Sequence, residues 1–353
     1  MAFRVAFLGI DHPHGAGWRQ LLDNLEGRLE IVAVMPGYGG TTCSLEEKYA
    51  GAFRGETVEE LIAFGEFDGA VVCLPNDEGP AAAARLAAAG KHLLLEKPGA
   101  ASAADLQPLV DAATATGIAF QAGYMWRYDD LANRLRAMAA EGRFGKLISI
   151  EMLYATSDVK RRDPDHYLFN AQQSGGGFFN WLACHYLDLL TYITGQQVAA
   201  VTARVGVFGA VDCEVEDGGT AILELSGGAL ATFVGGYWIP RWQGENRWTF
   251  RGSERWVHWD PSLKDTQGSL EIHGPMPQWN AMDETYIAPG DSTPGYGGGR
   301  GLALVEDWLS AAQTGDVCRN TLQSVQSTLA VIDAIYESSR SGQRVVVDSS
   351  PSR

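Results

Sequence analysis

The stretch His92-Leu93-Leu94-Leu95-Glu96-Lys97-Pro98 decides the fold. Four residues of mostly apolar character read as a buried strand, and its carboxyl end carries a lysine. Open α/β sheets place their ligands outside the carboxyl ends of their strands. Pro98 restricts Lys97 to extended backbone and stops the strand. Taken alone, a strand-end lysine before a turn is the commoner explanation. The surrounding pattern gives it weight. Residues 5–9, 31–35, 69–74 and 118–122 are further short apolar runs, and helical patterns over 18–25, 45–50, 58–64, 81–89 and 104–116 separate the five. Strands alternating with helices predict a parallel sheet with right-handed crossovers, covered on both faces.

The character changes after residue 122. Beyond a helical pattern at 130–141, long β-like runs occupy 147–157, 198–208, 220–225 and 230–238, with shorter ones at 247–251 and 256–259. They predict a mostly antiparallel sheet interrupted by one helix at 178–193. A Gly-rich loop at 294–301 leads to a closing helical pair, 302–312 and 321–339. The expected architecture is therefore α/β: a Rossmann-type parallel domain over 1–122, then an α+β domain with an open antiparallel sheet over 123–353. The final helices are expected to pack back toward the first domain.

A length of 353 residues exceeds a usual single core. The net charge of −16 disfavours nucleic acid and anionic membrane as partners, since both need a basic surface. No apolar stretch reaches the roughly 18 residues that span a bilayer. The chain runs from Met1 straight into its first apolar run, which reads as leaving no room for a signal peptide. Five scattered cysteines without a CxxC pair argue against a disulfide framework or structural zinc. These features together predict a cytoplasmic protein.

The chain resembles the Gfo/Idh/MocA family along nearly its whole length. The resemblance rests on Val71-Val72-Cys73-Leu74-Pro75-Asn76, on Gly90-Lys91-His92 with Glu96-Lys97-Pro98, and on Gly123-Tyr124-Met125-Trp126-Arg127-Tyr128-Asp129. It continues through Gly142-Arg143-Phe144-Gly145-Lys146-Leu147, Ser174-Gly175-Gly176-Gly177 and His185-Tyr186-Leu187-Asp188. It implies an NAD- or NADP-dependent oxidoreductase acting on a sugar, polyol or related hydroxylated compound, with its active site in a cleft between the domains. It also implies a homodimer or homotetramer. Lys97 and His185 match the family's catalytic lysine and histidine. The cofactor-contacting positions are Gly9, Asp11, His12, Pro75, Asn76, Glu96, Lys97 and Met125. The substrate-facing ones are Tyr124, Trp126, Arg127, His166, Trp181 and Asp188. A base working near neutral pH suits histidine, and a lysine stabilises a developing alkoxide. Asp188, three residues on, shares a helical face with His185, where it orients the imidazole or pairs with an arginine.

Three features depart from the family pattern. The dinucleotide fingerprint GxGxxG is reduced to Gly9-Ile10-Asp11-His12-Pro13-His14, with a carboxylate at the second glycine position. A carboxylate 4 Å from a phosphate charge costs roughly 4 kcal/mol at an effective dielectric of 20; the alternative is that Asp11 caps the first helix and faces away. No metal is expected here, because a turn explains the two histidines better than a ligand pair. The second strand ends in Met35-Pro36-Gly37 without the ribose-binding acid, and no arginine nearby in sequence marks a 2′-phosphate site, so cofactor choice stays open. Third, Trp181 stands one helical turn before His185, where many members carry an aspartate; Asn180, Asp165 or His166 are the candidate replacements. The paired Arg161-Arg162 read as a substrate-facing loop or as solvated charge. Two alternatives follow: transient oxidation driving elimination or glycoside cleavage, or a non-catalytic binding protein with a degraded dinucleotide site.

Overall fold

A computed structural model describes residues 2–12, 14–39, 43–157, 166–209, 213–240, 243–274 and 283–347. The chain divides into two compact units. The first comprises Met1–Tyr128 with Ser292–Gln326, and the second Asp129–Asp291 with Ser327–Arg353.

The first unit is built on six parallel strands: β1 (Phe3–Leu8), β2 (Leu29–Met35), β3 (Phe53–Arg54), β4 (Gly69–Val72), β5 (His92–Leu95) and β6 (Phe120–Ala122). Their order is β3-β2-β1-β4-β5-β6. That is the doubly wound order, whose direction reverses between β1 and β4. The two-residue β3 escapes a sequence reading because it has no periodicity to detect. Helices α1 (Gly15–Asp23), α2 (Cys43–Lys48), α3 (Val58–Phe64), α4 (Gly79–Ala88) and α5 (Gln107–Thr116) form the crossovers. Thr57 caps α3 by accepting the Glu60 amide, and Gly65 ends it in the left-handed region. Trp18 of α1 is wholly buried, as is Trp308, which meets Phe3 edge-on at 5.3 Å. Trp308 belongs to α9 (Gly299–Thr314), which packs against α1, β5 and β6.

The second unit opens with α6 (Asp130–Ala140). Its nine-stranded sheet runs β14-β13-β12-β11-β7-β10-β9-β8-β15. The ranges are β7 (Leu147–Ser157), β8 (Val198–Gly206), β9 (Gly218–Leu225), β10 (Leu230–Ile239) and β11 (Gly244–Gly252), then β12 (Trp256–Asp260), β13 (Ser269–His273), β14 (Glu284–Ile287) and β15 (Val345–Val346). All neighbours are antiparallel except β7 and β10. The expected mostly antiparallel sheet is thus observed. The strands β13 to β15 were not anticipated, being only two to five residues long.

The expected single helix at 178–193 is two segments. A π-helical turn, Phe179–Ala183, precedes α8 (Cys184–Thr194), with the short α7 (Ala171–Ser174) before both. On α8, Tyr186 stacks on Trp248 of β11 at 5.7 Å and accepts a hydrogen bond from Asn246 at 2.6 Å, which fixes the helix on the sheet. The last helix, α10 (Leu322–Ser341), contributes residues to both units. No helix among the described residues is long and apolar enough to cross a membrane.

Asp129 caps α6, its carboxylate accepting the Ala132 amide at 2.9 Å from a site only 1% exposed. Asp129→Ala is expected to cost about 1–2 kcal/mol, read as a lower urea midpoint at unchanged slope, and Asp129→Ser to restore most of it.

Candidate active site

At the carboxyl end of β5 two charged side chains are buried side by side, Glu96 at 6% and Lys97 at 1% exposure. The Lys97 ammonium lies 3.9 Å from Glu96 Oε1. The Trp18 indole donates to Glu96 Oε2 at 3.0 Å, and His14 Nδ1 lies 3.2 Å from Oε1. Burial by itself would raise the Glu96 pKa. The His14 hydrogen bond and the positive charge of Lys97 and the histidines outweigh it and hold the carboxyl below its usual range. The Lys97–Pro98 peptide is cis.

The loop after β1 differs from the sequence expectation. Asp11 does not cap α1. Its carboxylate accepts the amides of Gly37 and Tyr38, at 2.7 and 2.9 Å, just beyond the end of β2. Helix α1 begins at His14 without any side-chain cap. His12, 3% exposed, accepts the His14 amide on its Nδ1 at 2.8 Å and the Gly15 amide on its carbonyl at 2.6 Å. Ring contacts then run Tyr38–His12–His14–Tyr296–Trp18, with centroids 4.8 to 5.4 Å apart.

A dinucleotide fits the remaining features of this edge. Gly9 has φ +70°, and a Cβ there would run into the Cys73 carbonyl oxygen, so only glycine allows β1 and β4 to close at the reversal point. The Asp11 charge, set against a diphosphate by sequence reasoning, is engaged by two backbone amides toward β2. The cost is at α1, where His12 already takes two early amides.

Pro75 and Asn76 follow β4. The Pro75 carbonyl accepts the amides of Glu78 and Gly79 and opens α4, while that of Asn76, 7% exposed, accepts from Ala101 at 3.1 Å. Beyond β6, Tyr124 does not present an open aromatic face: it is 1% exposed, and its hydroxyl donates to the Pro98 carbonyl at 3.1 Å. Arg127 is likewise buried and donates to the Arg319 carbonyl at 3.0 Å, while Arg319 returns a bond to the Arg127 carbonyl at 2.8 Å. Met125 packs half-buried against the first unit's core. Trp126 is half-buried under the Arg300 guanidinium, 4.1 Å from its ring.

In the second unit His185 is 6% exposed on α8. Asp188 accepts the Thr328 hydroxyl at 3.4 Å. Trp181 meets Tyr167 edge-on at 5.8 Å and is 2% exposed. Because the turn before α8 is π-helical, with hydrogen bonds spanning five residues, counting four back from His185 no longer identifies its neighbour one turn away. Asn180 lies five back. Its Nδ2 donates to the Ser174 carbonyl at 3.1 Å, and its buried Oδ1 has no hydrogen-bond partner among the described residues. His166 accepts the Leu168 amide at 3.2 Å. Asp165, Arg161 and Arg162 lie outside the described residues. Among the described residues no His/Cys/Asp/Glu group suits a metal ion.

Sequence reasoning missed Glu216 and Tyr336. Buried Glu216 accepts the amides of Gly177 and Phe179, at 2.7 and 2.9 Å, and the Tyr336 hydroxyl at 2.9 Å. A Cβ on Gly176 would strike the Tyr336 hydroxyl and one on Gly177 the Glu216 carbonyl. The triple glycine therefore lets this clasp close at the entrance to the π turn. The available signal was the pair Glu216-Asp217 at the mouth of an apolar strand. Burial raises the Glu216 pKa, against the opposing pull of its three donors.

The doubly wound fold with a strand-end lysine defines a dinucleotide-binding oxidoreductase class. The chain belongs to the Gfo/Idh/MocA family. Residues 3–124 match its oxidoreductase family, NAD-binding Rossmann fold model, and residues 132–258 match a GFO/IDH/MocA C-terminal domain. The chain is 26% identical over 238 residues to inositol 2-dehydrogenase of Rhizobium meliloti, covering 65% of this chain and 68% of that one. It is 27% identical over 311 residues to a D-xylose 1-dehydrogenase (NADP(+)) of Haloferax volcanii, covering 82% and 83%. Aldose-aldose oxidoreductase of Caulobacter crescentus, solved with glycerol, superposes with a TM-score of 0.80 at 22% identity, over 98% of this chain and 100% of that one. Levoglucosan dehydrogenase with NADH and levoglucosan gives 0.83 at 17%, over 99% and 100%. The protein is a nicotinamide-dependent oxidoreductase, using NAD or NADP.

Two outcomes test the clasp. Glu216→Ala strands two buried amides and a hydroxyl, and is expected to cost about 3 kcal/mol or more by urea denaturation. The folded Glu216 pKa exceeds the ordinary 4.5, so the native state holds its proton longer and stability falls as pH rises from 4.5 toward the raised value. Urea midpoints measured across that window are expected to fall for the wild type, and Glu216→Gln to remove that part of the slope.

Proposed function

We propose that this oxidoreductase interconverts a secondary hydroxyl and a carbonyl on a sugar, polyol or related compound, with Lys97 and His185 as its catalytic residues. The observation that carries the reading is Lys97, buried at the carboxyl end of β5 beside the anionic Glu96, in a sheet whose order reverses between β1 and β4. Glu96 keeps a positive charge at Lys97 favourable in a site that otherwise excludes water. Lys97 then donates to the carbinol oxygen and stabilises the alkoxide as it forms. His185 takes the hydroxyl proton in oxidation and returns it in reduction. The bound dinucleotide supplies the hydride acceptor or donor. Gly9, Asp11, His12, Pro75, Asn76, Glu96 and Met125 are its proposed contacts. Trp126, His166, Trp181 and Asp188 are the proposed substrate-side residues. Asn180 stands in for the family's aspartate, but an amide takes no proton, so His185 carries the proton step without a carboxylate relay. Residues 1–122, with Met125, serve the dinucleotide and the rest of 123–353 the substrate and self-association, in a cytoplasmic homo-oligomer.

Titration of the purified protein with NADH and NADPH is expected to give saturable binding of at least one. With an oxidisable polyol or sugar, reduced cofactor is expected to accumulate in proportion to product. Lys97→Ala and His185→Ala are each expected to lower kcat by about 10²–10⁴-fold, with cofactor Kd within about threefold of wild type. Failure of both cofactors to bind, or wild-type rates in both variants, overturns the reading.

A further inference from the structure

Two departures from the dinucleotide pattern turn out to be one. The sequence lacks an acid at the end of β2 and has a surplus one in the phosphate loop, at the position where the second glycine should stand. In the structure the surplus carboxylate is delivered to the deficient place: Asp11 Oδ1 and Oδ2 accept the Gly37 and Tyr38 amides, the second and third residues past the end of β2. The carboxyl end of β2 is where a dinucleotide fold presents an acid to the adenosine ribose. A carboxylate there accepts the ribose 2′-hydroxyl but repels a 2′-phosphate, which brings about one and a half to two negative charges.

We propose that Asp11, reaching across from the phosphate loop, is the ribose-reading acid of this chain and makes it selective for NAD(H) over NADP(H). The inference rests on the proposed function, since it assumes that a dinucleotide crosses this edge. Two backbone donors orient the carboxylate, so its position is set before any ligand arrives, and a carboxylate offers about four acceptor sites in all. The nearby cations each have a recorded partner; Arg19 donates to the Ile10 carbonyl, one residue before Asp11. Arg54, brought beside β2 by its pairing with Val34, is 3.6 Å from Glu56, and Lys48 is 2.6 Å from Asp23. Tyr38 is the neighbour to control for, because its hydroxyl donates to the Cys73 carbonyl at 2.9 Å beside Gly9.

The experiment is a direct binding titration, by calorimetry or by nucleotide fluorescence, of NADH and NADPH against wild type, Asp11→Asn, Asp11→Ser and Tyr38→Phe at one ionic strength. Wild type is expected to bind NADH at least about tenfold more tightly, a difference of about 1.4 kcal/mol. Both Asp11 variants are expected to bring the ratio within about threefold of unity by tightening NADPH, and Tyr38→Phe to leave the ratio as it was. Equal affinities or an NADPH preference in wild type overturns the proposal without any variant having to fold, and leaves the oxidoreductase reading standing. A ratio unmoved in the Asp11 variants, or moved as far by Tyr38→Phe, also overturns it. If neither nucleotide binds to wild type, the functional reading falls with it.

Discussion

The buried carboxylate of Glu96 is the interaction on which the first unit's ligand edge depends. Three elements converge on it: β5 supplies the acid, α1 supplies Trp18 and His14, and the residue after Glu96 supplies an ammonium. An isolated carboxylate at 6% exposure would take up a proton rather than stay charged. With these partners it stays ionised, its pKa held below the ordinary carboxylate range. Removing one partner would leave a buried charge only partly compensated, which costs more than the bond itself was worth. The lysine is thereby held in place by electrostatics as well as by the strand, at the edge where doubly wound sheets bind their ligands.

The second unit uses a buried glutamate for a different purpose. Glu216 has no cation among its recorded partners; it accepts two amides and a phenol. Neutral donors compensate burial less fully than charges do, so its pKa moves the opposite way from that of Glu96. Its value to the fold is geometric. By gathering the amides of Gly177 and Phe179 it sets where the chain enters the π turn, and hence the rotation with which α8 presents His185. Tyr186, the next residue, fixes that rotation from the sheet side through Trp248 and Asn246.

The parallel sheet was legible because each of its longer strands is an apolar run followed by a helix, and because His92–Leu95 ends in a charge that only a strand terminus would carry. The antiparallel sheet was legible where strands are long, as in β7, and not where they run for only two to five residues, as in β13, β14 and β15. Site residues behaved similarly. Lys97 and His185 stood out by motif. Tyr124 and Arg127 carry the same motif, yet they spend their polar groups on the carbonyls of Pro98 and Arg319, distant in sequence. Glu216 was invisible for the same reason: its meaning lies in Tyr336, 120 residues away. Partners that far apart leave no local pattern.

The replaced catalytic aspartate illustrates a subtler limit. Counting four residues back from His185 assumes α-helical geometry, and on that count the family's acid has become a tryptophan. The chain instead widens to hydrogen bonds spanning five residues over Phe179–Ala183, which advances the neighbouring position by one. Trp181 then packs against Tyr167, and Asn180 lies buried with its carbonyl oxygen unmatched among the described residues. An unmatched buried acceptor costs about 1–3 kcal/mol, and an apolar residue there would remove it only by stranding the buried Ser174 carbonyl. On a five-residue spacing the position a turn before His185 is an amide, which hydrogen-bonds but does not ionise.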